Sequence, residues 1–339
     1  MAAQSAQAVT IGDVATAAGV SRATVSRVLN GLATVDREIV ARVERTIAEL
    51  GYRPSVTARN LSLGRTNTIG VVVPDLSNPM FQAILSGVTR AAGRDGKRIL
   101  VADTGEQADA EREVALEMRR ATDALVLCAP RMADDELSEV LAQSSPVAIV
   151  NRAVADSAIP QIALDYADAT AQVIDRLATL GHRRVLYLGG PIASASNRLR
   201  VRAITEAAIR HPDVSIEQMT VGPSLSDGTD AVEAALASGA SAVMAYNDLV
   251  AIGLISGLRE RGVDVPERIS VVGMDDIPFA RFAYPTLTSV ALPQDQLGEL
   301  AWRALRAALD PTLPPFEADG TVWLRGQLQE RDSTGPAPH

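Results

Sequence analysis

Two groups of residues in this chain are of types that hold other molecules. Arg22, Ala23, Ser26 and Arg27 share one face if residues 22–30 are helical, opposite an apolar face of Val25, Val28 and Leu29. Two guanidiniums on an unpartnered helix face can meet phosphate oxygens or base edges, and one arginine can donate twice to guanine. The second group follows short apolar runs: Asp75 and Asn78 after IGVVV, Asn151 and Arg152 after VAIV, Asn247 and Asp248 after AVMAY, Asp275 and Asp276 after ISVVGM. Polar residues beyond strand ends can line a ligand site, although Asn247 and Asp248 suit a helix N-cap equally well, and Asp275–Asp276 could cap the segment that follows. Catalysis finds no such constellation. There is no Gly-x-Ser-x-Gly elbow and no phosphate loop, and Gly189-Gly190-Pro191 lacks the required spacing. One cysteine, Cys128, and three histidines argue against a disulfide or a metal site. Neither an enzyme nor a cofactor is expected.

The elements that must position these groups can be read from periodicity. Thr10 and Asp13 cap a short helix that Gly19 ends, Ser21 caps a second helix stopped by Gly31, and a third over Asp36–Leu50 sets Ile39, Val43, Ile47 and Leu50 at helical spacing. Helix, tight turn, helix is the pattern that lays its second helix in a DNA major groove. From Thr68 onward β-branched runs alternate with amphipathic helices in two successive sets, which predicts two lobes of parallel sheet with helices on both faces and a cleft between them. Trp302 and Trp323 read as core or lobe-interface residues, and ERDSTGPAPH as a mobile polar tail.

Charge divides the chain in the same place. The net charge of −9 hides a head, residues 1–66, with eight Arg against five acids (+3), and a body at −12. A basic head can bind phosphate while the body repels it. No run is long and apolar enough to span a membrane, and MAAQSAQAVTIGDV lacks the basic and apolar regions of a secretory signal, so a cytoplasmic protein is expected.

The segment TIGDVATAAGVSRATVSRVLNG closely resembles the headpiece of the LacI/GalR family of bacterial transcription regulators, and GYRPSVTARNL resembles that family's hinge. PDLSNPMF, GHRRVLYLGGP, NRLRVRA, YNDLVAIG and VVGMDDIPFARFAYPTLTSV look like stretches of its ligand-binding body. The resemblance implies an α/β fold: a small all-α helix-turn-helix domain at 1–54, a hinge at 55–66, and a two-lobed periplasmic-binding-protein-like body of two Rossmann-like subdomains at 67–330, followed by the tail 331–339. The first lobe would hold about 67–163 and 295–321, the second about 164–294 and 322–330.

Carried over position by position, the resemblance implies DNA contacts from Thr10, Ser21, Arg22, Ala23, Thr24, Ser26, Arg27, Asn30 and Tyr52. It also implies a hinge in which Ala58 precedes a Leu61 that wedges into the minor groove, unstacking a base step at a cost of roughly a few kcal/mol. Arg200 and Asp275 match the family's main effector contacts, Asn151 and Asn247 secondary ones, and Phe81 a wall; such types suit a sugar. Leu292, where many relatives have glutamine, the apolar Cys128–Ala129 and Met274 favour a ligand with an apolar edge or a deoxy group. The expected protein is a repressor of carbohydrate genes, a homodimer on a palindromic operator released by a sugar-type effector. The alternatives are a purine or other metabolite acting as corepressor, and, in another class, a solute-binding transport protein, for which the head has no use. After Trp323 no leucine heptad follows, so no tetramer is expected.

Overall fold

The computed structural model describes residues 9–29, 35–52, 65–155, 158–316 and 320–338. Asn30, Ala58 and Leu61, and with them the hinge reading, lie outside these residues. The chain divides into two units, Met1–Thr66 and Asn67–His339.

In the head, α1 (Ile11–Ala18), α2 (Arg22–Leu29) and α3 (Arg37–Leu50) enclose a small core of Val14, Ala15, Ala18, Val25 and Val43. Thr10 and Asp13 form a reciprocal capping box, the Thr10 amide donating to Asp13 Oδ2 at 2.8 Å. Gly19 closes α1 with φ +65°, the left-handed turn that only glycine adopts cheaply. Leu50 is not in the core as its spacing predicted. It is 37% exposed, and Thr46 is buried instead because its hydroxyl is satisfied by the Arg42 carbonyl one turn earlier.

The body begins with β1 (Thr68–Val73), α4 (Pro79–Arg94), β2 (Arg98–Asp103), α5 (Ala108–Ala121), β3 (Ala124–Cys128), α6 (Asp134–Gln143), β4 (Val147–Val150) and β5 (Gln161–Leu164). It continues with α7 (Tyr166–Thr179), β6 (Arg184–Gly189), α8 (Ala195–Arg210), β7 (Ser215–Thr220), α9 (Leu225–Asp230), α10 (Val232–Ala237), β8 (Ala242–Ala245), α11 (Asp248–Glu260) and β9 (Ser270–Asp275). A 3-10 turn (Pro278–Arg281), β10 (Thr288–Ala291), α12 (Gln294–Leu309), β11 (Thr321–Leu324) and β12 (Gln327–Gln329) complete it.

The first sheet runs β11-β5-β4-β3-β1-β2, all parallel, and the second β12-β10-β9-β8-β6-β7, parallel except for β12. Strands buried on both faces, such as β3 and β8, are continuous apolar runs for that reason. The chain passes between the sheets three times, after β5, β10 and β11.

Three expectations need correction. Residues 322–324 belong to the first lobe, because β11 pairs in parallel with β5, Thr321 opposite Gln161 and Leu324 opposite Leu164. Trp323 is 44% exposed, whereas Trp302 is buried and donates Nε1–H to Asp95 at 2.8 Å. The tail is packed through Ala337. Ser333 is fully buried, its Oγ donates to the Val271 carbonyl and accepts from the Thr288 amide, and Gly335 and Ala337 bond to Ser270 and Leu180. A polar sequence reads as loose only while its backbone partners are unknown; here Ser270 and Ser333 supply them.

Candidate functional site

The head presents α2. Ser21 caps it, accepting from the Thr24 amide at 3.1 Å and hydrogen-bonding the Thr24 hydroxyl at 2.9 Å, so these two hydroxyls serve the helix start. Val25 is turned into the core, and Arg22, Ala23 and Arg27 are exposed, with Ser26 half-buried. Arg22 lies over Gly12, where a Cβ would stand 2.8 Å from its Nη2. Tyr52 is half-buried and packs against the head's core, which makes its ring a structural group first.

In the body, four of the expected effector residues, Phe81, Arg200, Asn247 and Asp275, line one cavity. Arg200, on α8, is 2% exposed and is held between two rings, with its guanidinium carbon 3.9 Å from the Tyr166 centroid and 4.6 Å from that of Tyr246. Among the described residues its Nε and Nη1 have no hydrogen-bond partner, and neither does Oδ1 of the buried Asp275. Burying polar atoms unsatisfied is costly, so such atoms mark a place prepared for something else. Desolvation raises the Asp275 carboxyl to about 7, against the opposing pull of Arg200.

The strand end carrying Asp275 is locked from below. Asp275 and Asp276 both have positive φ, +107° and +49°, unfavourable for non-glycine residues. Asp248 Oδ2 accepts from the Ile277 amide at 2.7 Å and its Oδ1 from Ser289 Oγ at 2.6 Å; Gly273 is required beneath, since a Cβ there would stand 2.1 Å from that Oδ1. Arg331 donates to Asp276 Oδ1 at 2.6 Å, and Gln294 Nε2 to the Asp275 carbonyl at 2.6 Å. Asp248 and Asp276 therefore hold Asp275 in place.

Asn247 does two jobs. Its Oδ1 caps α11 by accepting from the Val250 amide at 2.9 Å, and its Nδ2 donates to the Pro223 carbonyl at 2.8 Å, which leaves one amide hydrogen for a ligand. Asn151 does not line this cavity; its Nδ2 donates to the Tyr166 hydroxyl at 3.2 Å, behind the ring that covers Arg200. The sequence reading missed Tyr166, Tyr246, Glu106 and Arg131, all of which line the cavity. Each follows the carboxyl end of a strand, the rule that pointed to Asp275, but tyrosines at such places read as core. Arg131 makes a two-bonded pair with Glu106, at 2.6 and 2.9 Å, just beyond the apolar Cys128–Ala129. The first lobe thus supplies polar groups that the expectation of an apolar edge overlooked. The free volume is about 10 Å³, space for at most one water, so a ring-sized ligand would need the lobes to part.

A helix-turn-helix head joined to a two-lobed binding body defines a ligand-responsive DNA-binding regulator. Residues 10–55 match the family of bacterial regulatory proteins, lacI family, and residues 174–334 the periplasmic binding protein-like domain. The chain is 34% identical over 298 residues, 85% of this chain and 88% of the relative, to the HTH-type transcriptional regulator AscG of Escherichia coli (strain K12). It superposes on one chain of the lac repressor dimer bound to operator and the anti-inducer ONPF with TM-score 0.82 at 26% identity, covering 97% of this chain and 100% of the other. A complex of the transcriptional regulator CelR with cellobiose matches with TM-score 0.70 at 27% identity over 96% and 99% of the two chains. The protein belongs to the lacI family of bacterial transcription regulators, a family of DNA-binding regulators rather than enzymes. No helix among the described residues is long and apolar enough to cross a membrane.

Proposed function

We propose that this protein is a cytoplasmic repressor of carbohydrate genes that binds a palindromic operator as a homodimer and releases it when a neutral sugar enters the body cavity. The buried, unpaired Arg200 and Asp275 carry this reading. Two unpaired guanidinium nitrogens and one carboxylate oxygen, flanked by two tyrosine faces, fit a ring whose hydroxyls can accept from a guanidinium and donate to a carboxylate. The cellobiose complex of the similar regulator supports the ligand class.

On the DNA side, exposed Arg22, Ala23 and Arg27 are the base-reading residues, with Thr10, Ser21, Thr24 and Ser26 near the backbone. Phe279, Phe282 and Tyr284, all exposed within one short segment of the second lobe, are the side chains that a second copy would cover. The test is selection of operator DNA from a random pool, a thermal-shift panel of sugars, and DNA release by each hit. A palindrome released by a sugar supports the reading. Tightening of DNA by a purine would replace it with a corepressor mechanism. Arg27→Ala should cost about 1–3 kcal/mol at one base position, and a uniform loss over all base variants would reassign Arg27 to phosphate.

A further inference from the structure

A second cavity, of about 150 Å³, shares no lining residue with the first. Arg152, Ala153, Leu164 and Trp323 face it from the first lobe, Arg198 and Leu199 from the second. Its size sets the size of an occupant: a cavity of about 150 Å³ accepts one six-membered ring. Its walls set the shape. Ala153, Leu164 and Leu199 are apolar, and Trp323, 44% exposed, adds a large flat ring to the same wall.

Charge narrows the class further. Arg152 is buried, and its guanidinium donates to the Pro130 and Met132 carbonyls and to Asp134. Arg198 is exposed and makes one described hydrogen bond, from Nη1 to the Ala193 carbonyl at 3.1 Å. Arg152 is already paired with Asp134, whereas Arg198 makes no ion pair among the described residues, so the Arg198 guanidinium is available to an anion. We propose that the cavity binds a ring-sized monoanion, an aromatic or alicyclic carboxylate whose ring lies on Trp323 and whose carboxylate meets Arg198. Such a ligand spans both lobes beside the β5 crossover and favours their closed arrangement by its contacts to each. The link to the other cavity is short: Arg198 and Arg200 are on the same helix, and Asn151, which lines this cavity, holds the Tyr166 hydroxyl.

The chain's two tryptophans make the test direct, because Trp302→Phe leaves Trp323 as the sole indole of the full-length protein. Benzoate titrated into that variant should change its fluorescence saturably, whereas acetate at equal concentration should not. Arg198→Ala should weaken benzoate about tenfold, the size of one charge-assisted hydrogen bond, and benzyl alcohol should bind the parent about as weakly. Asp275→Asn should leave benzoate binding unchanged. Calorimetry on the protein with Trp302 intact gives a second reading, in which Trp323→Ala should abolish the benzoate signal. A response that does not saturate, indifference to Arg198→Ala, or an equal loss in Asp275→Asn would overturn the assignment, the last by placing benzoate in the first cavity.

Discussion

Asp275 is held in an unfavourable backbone conformation with its side-chain oxygen unpaired, and both features have consequences that depend on pH. Burial raises its carboxyl from 3.8 to about 7, so between those values the folded chain retains a proton that the unfolded chain has lost. Stability of the ligand-free protein should therefore fall as pH rises across that window, and the buried Asp248, raised by desolvation and by Asp275, adds the same sign. Ligand binding should run the other way, because the ionised carboxylate is the stronger acceptor for hydroxyls. Sugar affinity, measured by calorimetry from pH 5.5 to 8.5 or thereabouts, is expected to increase through about 7 in the wild type and to be flat in Asp275→Asn. At pH above that midpoint the mutant should bind the sugar weaker by about 1.5–3 kcal/mol while keeping its operator affinity. A mutant that releases DNA at the wild-type sugar concentration would remove Asp275 from the effector site.

The elements owe their spacing to reciprocal glycines at two helix crossings, one in each lobe. Where α4 crosses α12, a Cβ on Gly87 would stand 2.1 Å from the Asp295 carbonyl oxygen and one on Gly298 2.2 Å from that of Ile84. Where α9 crosses α11, Gly228 and Gly253 would meet Val250 O at 2.1 Å and Leu225 O at 2.0 Å. Alanine is normally the better helix former by about 1 kcal/mol, but here it would force backbones apart. Gly298→Ala should accordingly destabilise by about 1–3 kcal/mol in chemical denaturation, and a neutral or stabilising result would show that α12 can shift freely. The C-terminal strap is a similar case. Ser333→Ala leaves the Thr288 amide without its buried acceptor and should cost about 1–3 kcal/mol, where a mobile tail would lose nothing.

For the whole molecule, the proposed operator reading rests on symmetry. Two heads read two half-sites only if two bodies associate, and Phe282 and Tyr284, 84% and 82% exposed, are the largest apolar side chains left uncovered among the described residues of the second lobe. Phe282→Glu places a charge where a self-complementary surface would bury it. By light scattering the variant should be a monomer at micromolar concentration, and it should lose palindrome binding while keeping its sugar response. A dimer that survives this substitution would move the interface elsewhere.

The sequence by itself determined the elements and the family, because these are local: Thr10, Gly19 and Ser21 punctuate helices within a few residues of themselves, and β-branched runs such as VAIV announce parallel strands wherever they occur. It also pointed to Asp275 and Arg200, one by its place after a strand and the other by resemblance to known regulators. What only the tertiary structure decided is pairing across distance. That Tyr166 and Tyr246 would clasp Arg200, that Arg131 would meet Glu106, that β11 would join the first sheet, and that Ser333 would fasten the tail to β9 all depend on residues many positions apart. A side chain's own chemistry says what it can bond to, but burial decides which partners remain once water has gone, and burial belongs to the folded chain as a whole.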